Sequence, residues 1–266
     1  MEGGDKGICR LSIVPVRMEP SDRSEQVTQL LFGEHYLVID RSKDNKWLMI
    51  KTAFDDYTGW ISSNQNHFIG QEYFEQISDL DYKITTDINS EILFNKNHLR
   101  IVIGSIIPIS SQELFRMEEQ FSFRGNAKGL AQKKDYLFLK EIAKKYLHTP
   151  YQWGGRTPFG IDCSGFIQQI FRISGYNLPR DAWQQSKLGK SIDFEDLRPG
   201  DLAFFATKDN RINHVGLLLE ERKIIHASGH VRIDSLDEKG IFNNSINNYT
   251  HQFQGLKRIL RYTHGQ

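Results

Sequence analysis

The sequence has only two cysteines among 266 residues, Cys9 and Cys163. Unless they pair with each other, neither belongs to a disulfide framework, and two cysteines so far apart are typical of a reducing compartment. Cys9 is interpreted as a structural strand residue. Cys163 lies between an aspartate and a Ser-Gly pair in "YQWGGRTPFGIDCSGFIQQIF" (151–171), which raises the question of what a thiol does there.

The sequence also lacks an excess of charge and any long apolar run. With 34 basic and 33 acidic residues, the net charge is +1, so no field of one sign attracts nucleic acid or an anionic membrane. No apolar run approaches the roughly 18 residues that span a bilayer, and "MEGGDKGICRL" (1–11) lacks the apolar core of a signal peptide. We therefore expect a cytoplasmic monomer without nucleic-acid partners or membrane insertion. A periplasmic or secreted protein whose targeting segment was removed is the alternative.

The first 125 or so residues consist of short apolar–polar alternations separated by polar turns, which predicts half-buried β-strands. The predicted strands are "HYLVIDRS" (35–42), "KWLMIKT" (46–52), "TGWISS" (58–63) and "HLRIVIGSIIPI" (98–109). Trp47 on one strand and the Gly59-Trp60 step on another make residues 8–66 resemble a bacterial SH3-like module. A second SH3-like copy is predicted over roughly 70–126.

The remainder of the chain changes to helical periodicity and then to strands. Apolar spacing predicts helices over 133–147, ended by Thr149-Pro150, and over 162–176, ended by Gly175. Three strands follow at 201–207, 214–220 and 223–228. Helices followed by an antiparallel sheet indicate an α+β domain. The predicted domains are 1–67 (SH3-like), 68–128 (second SH3-like) and 129–266 (catalytic).

Cys163 stands at the start of the second predicted helix. A thiol there faces unpaired N–H groups and the positive end of the helix dipole, which favours thiolate and lowers the pKa from about 8.5. A small buried hydrophobe is the alternative. His214 and His226 lie on successive predicted strands separated by "EERK", so a hairpin brings them roughly opposite each other. One can then act as base and the other can orient it; exposed strand ends, or a zinc site with the cysteine, are the alternatives.

Residues 130–262 resemble the NlpC family of papain-like cysteine peptidases. The matching pieces occur in order: Tyr151 with "WGG" (153–155), "DCSG" (162–165), "LPRDAWQQ" (178–185), "LRPGDLAFF" (197–205), "NHVGLLL" (213–219) and "IIHASG" (224–229). The resemblance implies Cys163 as nucleophile, His214 as base and His226 as the orienting member. It also implies that the Tyr151 hydroxyl and the Cys163 N–H form an oxyanion hole, and that no cofactor or metal is needed.

A closer resemblance is to the subgroup with SH3-like domains ahead of the peptidase, the γ-D-glutamyl-L-diamino acid endopeptidases. It is carried by "PSDRSEQVTQLLFGE" (20–34), "YTGW" (57–60) and "HASGHVRIDSLDEKGI" (226–241). The implied reaction is hydrolysis of the γ-D-Glu–diaminopimelate bond in murein tripeptides or tetrapeptides with a free N-terminal L-Ala. The implied substrate-binding residues are Glu25 (with Glu34 second), Tyr57, Trp153, Asp162, Ser164, Asp181 and Ala182.

Each of these residues also has a structural interpretation. Glu25 is then a solvated loop charge, Tyr57 an SH3 core or rim residue, and Trp153 a cleft wall or core residue. Asp162 and Asp181 are then helix caps. Where relatives can carry Ser, this chain has Ala182, so a hydroxyl contact is lost there.

Two other functions remain open at this point. One is an acyltransferase or amidase that uses the same three residues on another acyl group, since fold does not fix the reaction. The other is a non-catalytic cell-wall binder in which the SH3-like domains act alone.

Overall fold

The computed structural model describes residues 5–79, 82–94, 96–107 and 121–260. The chain forms two compact units. The N-terminal unit comprises Met1–Lys133, Trp153–Pro158 and Gly175–Asn177, and the C-terminal unit comprises Lys134–Gln152, Phe159–Ser174 and Leu178–Gln266. Both ranges predicted as SH3-like thus fall within one unit, and the limits at 67 and 128 stay a prediction.

The first part of the N-terminal unit is a seven-stranded antiparallel sheet. Its strands are β1 (Lys6–Ile8), β2 (Ile13–Arg17), β3 (Gln26–Leu31), β4 (His35–Arg41), β5 (Trp47–Thr52), β6 (Thr58–Ser62) and β7 (Phe68–Ile69), in the order β3-β2-β6-β5-β4-β1-β7. Burial alternates along β2 and β5, because every second side chain faces the core. The three strands predicted within 35–63 are confirmed as β4, β5 and β6, and their ends lie within two residues of the predicted ends.

Cys9 follows β1 and is fully buried in the core of this sheet. Its thiol donates to the Leu11 carbonyl oxygen at 3.3 Å. Burial raises the pKa of Cys9 to about 12, which keeps the thiol protonated and unreactive. The structural role predicted for Cys9 agrees with these contacts, but the prediction of a strand position is wrong, because β1 ends at Ile8.

The rest of the N-terminal unit holds one helix and short strands. They are α1 (Gln71–Asp79), β8 (Lys83–Thr85), β9 (Asn89–Phe94), β10 (Asn97–Val102), β11 (Ile106–Ile107), β12 (Phe121–Arg124), β13 (Ala127–Gly129) and β14 (Arg156–Thr157). They include two three-stranded sheets, β10-β9-β12 and β11-β8-β13. The strand predicted over 98–109 is interrupted at 103–105, and its residues 108–109 lie outside the described residues. Helix α1 was not predicted.

The C-terminal unit packs helices against a second seven-stranded sheet. Its elements are α2 (Tyr136–Lys144), β15 (Gly160–Ile161), α3 (Cys163–Ile173), α4 (Ala182–Gln185), β16 (Lys190–Ile192), β17 (Leu202–Ala206), β18 (Ile212–Leu218), β19 (Lys223–Ser228), β20 (His230–Asp237), β21 (Gly240–Asn243) and β22 (Asn248–Arg258). The sheet order is β16-β22-β17-β18-β19-β20-β21, and β22 also pairs with β21. The long last strand therefore closes the sheet on itself.

Helix α2 is shorter than the predicted 133–147. Asp135 caps its start by accepting from the Phe138 N–H at 3.1 Å. Beyond Lys144 the chain continues in i→i+3 turns, and His148 adopts a positive φ of 69°, so the α-helical pattern stops before the apolar periodicity does. None of the helices in the described part of the chain combines the length and apolar character needed to cross a membrane.

Candidate active site

Helix α3 places Cys163 in its first turn, as predicted. Asp162 precedes the helix and accepts from the Gly165 N–H at 2.7 Å, which satisfies one of the otherwise unpaired N–H groups of the helix start. Arg180 pairs with both carboxylate oxygens of Asp162, one of them at 2.9 Å, and both side chains are buried. The Asp162 carboxylate is thus occupied within the protein, which favours its helix-cap interpretation over substrate contact.

The environment of the Cys163 thiol is the opposite of what the helix position predicts. Cys163 is 5% exposed, and burial raises its pKa to about 12, with the Asp162 carboxylate adding to the rise. Backbone N–H groups of Val215 and Ser164 act in the lowering direction but have the smaller effect. The prediction of a lowered pKa is therefore wrong, because it considered the helix dipole and left out desolvation. The thiol rests protonated.

This correction has a measurable consequence for alkylation. With a thiol pKa near 12, the thiolate fraction grows steadily with pH. The rate of iodoacetamide labelling at Cys163, followed by peptide mapping, is expected to rise from pH 5 to pH 9 without reaching a plateau. Cys163→Ala provides the background from Cys9. A plateau between pH 5 and 6 would mean that a stable thiolate exists and that the pKa assignment is incorrect.

His214 and His226 meet across two neighbouring strands. His214 lies on β18 and His226 on β19, and the Nε2 of His214 is 2.8 Å from the Nδ1 of His226. Leu217 of β18 pairs with Ile225 of β19. One residue further along this register, His226 lies opposite Gly216 and diagonal to His214. A Cβ at Gly216 would lie 3.0 Å from the His226 Cβ. Because Gly216 has no side chain, the His214 and His226 rings have space to contact each other diagonally across the two strands.

A third strand extends this contact. On β20, the Oδ2 of Asp234 is 3.0 Å from the Nε2 of His226, and Arg232 donates to the other carboxylate oxygen at 3.0 Å. Although burial acts to raise it, hydrogen bonds from His226 and Arg232 hold the pKa of Asp234 below its usual value. The residue stays ionised, and sequence reasoning missed it.

The ionised Asp234 determines the tautomers of both histidines. A carboxylate only accepts, so the Nε2 of His226 carries a proton and its Nδ1 must accept. The Nε2 of His214 then donates to that Nδ1, which leaves the Nδ1 of His214 with its lone pair. Burial holds the pKa of His214 and of His226 below the usual value. At neutral pH, His214 is thus an uncharged imidazole ready to accept a proton.

Replacing Asp234 by asparagine is expected to lower kcat by at least about 10²-fold with little change in KM. An amide N–H facing His226 would reverse the tautomers of both rings and block the Nδ1 of His214. Steady-state kinetics checks this, with Asp237→Asn on the same strand as the control that keeps wild-type activity. Turnover by Asp234→Asn within threefold of wild type would contradict the assigned tautomers.

Tyr151 precedes Cys163 on the chain and is partly exposed, at 36%. Its backbone N–H donates to the carbonyl oxygen of Gly229 at 2.9 Å. This hydrogen bond fixes Tyr151 beside the end of β19, the strand that carries His226. Burial raises the pKa of Tyr151, and the nearby Cys163 and Asp162 raise it further. The hydroxyl therefore stays protonated and can donate a hydrogen bond near the thiol, as an oxyanion donor must.

The remaining predicted residues of the C-terminal unit surround the start of α3 and α4. The Ser164 hydroxyl accepts from Arg180 at 2.9 Å, and its carbonyl oxygen accepts from Gln185 at 3.0 Å, so Ser164 is part of the internal network. Asp181 stands at the N-cap of α4 and its N–H donates to Gln184 at 3.1 Å. Ala182 is buried. Substrate contacts of these three residues stay a prediction.

The two acids predicted to hold the substrate amine, Glu34 and Glu25, have different surroundings in the N-terminal unit. Glu34 is buried, with side-chain exposure of 1%, and forms two hydrogen bonds with Arg156 at 3.0 and 2.8 Å. It also accepts from the Leu31 N–H at 2.9 Å. A carboxylate so occupied cannot pair with a substrate ammonium without losing Arg156, and Glu34 is thus rejected as the second candidate.

Glu25 is exposed and accepts a hydrogen bond from the Trp153 indole at 2.5 Å. Trp153 belongs to the same unit and is 60% exposed, so it is a surface residue rather than core. Tyr57 is half-buried, packs against the core of the first sheet and donates its backbone N–H to the Thr52 hydroxyl at 2.9 Å. Glu25 and Trp153 therefore form an accessible pair of polar and aromatic groups.

A third histidine, His251 on β22, joins the two predicted ones, and sequence reasoning missed it. Nitrogen atoms of His214, His226 and His251 lie within 4.8 Å of one another, the arrangement of a possible metal site. However, the His214 and His226 nitrogens share a proton at 2.8 Å, and His251 stacks on His214 with ring planes at 25°. Two stacked imidazole rings point their nitrogen lone pairs in roughly parallel directions, whereas metal ligands must point theirs at one ion. The arrangement therefore fits ring stacking better than metal binding.

Comparisons with known proteins agree with this geometry. Residues 148–249 match the model of the NlpC/P60 family, and residues 16–65 match the bacterial dipeptidyl-peptidase Sh3 domain. A solved structure of an NlpC/P60 family protein from Bacillus cereus superposes with a TM-score of 0.78 at 20% identity and covers 96% of this chain and 100% of that one. The papain-like NlpC/P60 fold with an N-terminal SH3-like domain is thereby confirmed.

Two relatives illustrate the similarity in sequence. A γ-D-glutamyl-L-lysine dipeptidyl-peptidase of Bacillus subtilis is 28% identical over 221 residues, which cover 75% of this chain and 71% of that protein. A probable endopeptidase NlpC of Escherichia coli is 39% identical over 112 residues, which cover 41% of this chain and 68% of that protein. The chain thus contains an NlpC/P60 domain over residues 148–249 and a bacterial SH3-like domain over residues 16–65.

Proposed function

We propose that the protein is a cysteine endopeptidase that hydrolyses the bond between γ-D-glutamate and a diamino acid in small murein peptides. The observation that carries the proposal is the hydrogen-bonded series His214–His226–Asp234 in the same unit as Cys163 at a helix start. A nucleophile, a base and groups that orient the base are the parts that amide hydrolysis requires.

The proposed reaction begins with a neutral thiol and a neutral imidazole. The Nδ1 of His214 takes the Cys163 proton as Sγ attacks the γ-carbonyl carbon of D-glutamate. The oxyanion accepts hydrogen bonds from the Tyr151 hydroxyl and the Cys163 N–H. The tetrahedral intermediate collapses to a thioester, while His214 returns the proton to the departing amine of the diamino acid.

The second half of the reaction regenerates the enzyme. His214 removes a proton from water, and the resulting hydroxide attacks the thioester carbonyl. The C–S bond breaks, Cys163 recovers its proton, and the γ-carboxylate of D-glutamate is released. One water is consumed for each bond cut, so no cofactor is required by this chemistry.

The choice of the γ-D-glutamyl bond is supported by relatives, since two γ-D-glutamyl-L-lysine dipeptidyl-peptidases are 28% and 26% identical to this chain. We propose diaminopimelate at the third position, with lysine as the competing choice. Mass spectrometry of L-Ala-γ-D-Glu-diaminopimelate and its lysine analogue after incubation is expected to give L-Ala-D-Glu and the free diamino acid. Cleavage of a matched peptide with α-linked glutamate, but not of the γ-linked one, would contradict the proposal.

We further propose that Glu25 recognises the free amine of L-Ala. It remains the accessible acid of the two predicted, since Glu34 is buried against Arg156. An N-acetylated substrate would present an uncharged amide in place of the ammonium, so the Glu25 carboxylate would lose its ionic partner.

Glu25→Gln is therefore expected to raise KM for the free-amine tripeptide by at least about tenfold with kcat within threefold, and to narrow the preference for free over N-acetylated peptide. Asp22→Asn, in the same loop and exposed, is the matched control. Equal kcat/KM for the two peptides with the wild-type enzyme would show that no group recognises the amine.

A further inference from the structure

His251 is placed against the proposed base by the last strand of the sheet. Its ring centroid is 4.0 Å from that of His214, and the two ring planes differ by 25°. The Nδ1 of His251 is 2.8 Å from the Thr250 hydroxyl oxygen, which fixes the rotation of the ring. Phe205, on the strand between them, contacts the edge of His251 at a centroid distance of 5.9 Å.

The closure of the sheet explains this contact between distant strands. β22 pairs with β17 in its second half and with β21 in its first half. The register shifts in both pairings, between Phe204 and Phe205 on β17 and between Ile241 and Phe242 on β21. Such bulges redirect side chains, and His251 lies on β22 between these two irregularities.

His251 is uncharged wherever the proposed reaction operates. Burial lowers its pKa to about 4, with a contribution from His226 in the same direction and an opposing one from Asp234. The titratable groups around it are thus His214, His226 and Asp234. Above pH 5, His251 offers His214 a neutral aromatic face.

Formation of the His214 imidazolium is the costly step in this site, because burial, together with the charge that His226 or His251 carries when protonated, holds the pKa of His214 well below its ordinary value. Above pH 5 the His251 ring is uncharged, so it does not repel the His214 imidazolium there. The Asp234 carboxylate, acting through His226, offsets part of this cost by hydrogen bonds that lie in the plane of the His214 ring. A neutral aromatic ring that stacks on a cation stabilises the cation through the ring's negative face, and the stabilisation is larger when water is excluded. His251 is the histidine that stacks on His214 in the described residues.

We propose that His251 is a positioning residue: its stacked, uncharged ring stabilises the His214 imidazolium and restrains the orientation of the His214 ring. The inference rests on the proposed function, since it requires His214 to receive the Cys163 proton. What matters is the aromatic face, and the nitrogen atoms of His251 are dispensable for it.

The test compares His251→Phe, which retains a stacking face, with His251→Leu, which has none. His251→Leu is expected to lose about tenfold in kcat, equivalent to about 1.4 kcal/mol, with KM within twofold and the acid limb of the kcat/KM profile moved to lower pH. His251→Phe is expected to stay within threefold of wild type. Gln252→Ala, an exposed neighbour on the same strand, is the control and keeps wild-type kcat.

Two results would overturn the inference: wild-type kcat in His251→Leu, or an equal loss in His251→Phe and His251→Leu, which would assign the role to a nitrogen atom. Thermal unfolding establishes that each variant is folded. If His251→Leu does not fold, His251→Gln, which lacks a ring but can still bond to Thr250, takes its place. Because Cys163→Ala reports on the proposed function by itself, an inactive Cys163→Ala with an unaffected His251→Leu would reject only the stacking role.

Discussion

Replacing Cys163 by alanine is expected to reduce kcat for the γ-D-glutamyl tripeptide by at least about 10³-fold. No other thiol in the C-terminal unit can take its place, since the second cysteine, Cys9, is buried in the core of the N-terminal unit. KM should change little, because the proposed substrate contacts are made by other side chains. The measurement is steady-state kinetics with quantification of the released diamino acid.

The control for this prediction is structural. Cys163→Ala removes one sulfur atom from a buried position, so its thermal midpoint should remain close to that of the wild type. Cys9→Ala should keep wild-type kcat. Residual turnover in Cys163→Ala within tenfold of wild type would mean that another group attacks the carbonyl, and the assigned nucleophile would be abandoned.

Breaking the buried Glu34–Arg156 ion pair is expected to produce the largest loss of stability. Both side chains are 1% exposed and are joined by two hydrogen bonds. Glu34→Gln leaves the guanidinium with a neutral partner in a dry environment, which costs about 3–5 kcal/mol when a buried pair loses one charge. The unfolding midpoint of the N-terminal unit should fall by roughly 10 °C or more.

Two further variants separate charge from packing. The double variant Glu34→Leu with Arg156→Met removes both charges and should recover much of the lost stability, because an apolar pair needs no compensation. Asp44→Asn breaks an exposed ion pair with Lys46 at 3.8 Å and should leave the midpoint unchanged. If Glu34→Gln were as stable as the wild type but raised KM, Glu34 would be a substrate ligand after all.

Local patterns in the sequence predicted much of the fold. The alternation of Trp47–Thr52 and the helical periodicity after Cys163 appear as β5 and α3, because both patterns depend only on neighbouring residues. Helix α1 was missed, because residues 70–126 were interpreted as the strands of a second SH3-like copy. The end of α2 was placed three residues too far because a change from α-helical to tighter turns leaves the apolar periodicity intact.

The candidate site was predicted only in part. The order of Cys163, His214 and His226 was readable along the chain, whereas Asp234 and His251 come together with them through sheet pairing. Two signals could have helped: Asp234 follows His226 by eight residues on the next strand, and His251 is one of only nine histidines in the chain. The sequence placed Glu25 ahead of Glu34 but gave no reason to exclude Glu34, because Arg156, the partner of Glu34, comes 122 residues later.

The pKa of Cys163 shows the same limit for electrostatics. A helix start is a local feature and predicts a lower pKa, but burial is a tertiary property and here has the larger effect in the opposite direction. A protonated resting thiol makes the reaction depend on the proton-accepting lone pair of His214, and hence on the tautomers that Asp234 imposes.

The central claim is that Cys163 forms a thioester with the γ-carboxyl group of D-glutamate. It is tested most directly by acid-quenching the wild-type enzyme during turnover of L-Ala-γ-D-Glu-diaminopimelate and mapping the adduct by mass spectrometry. We predict a mass increase equal to L-Ala-D-Glu less one water on the peptide containing Cys163, which is absent from Cys163→Ala. An adduct on another residue, or one containing diaminopimelate, would contradict the account.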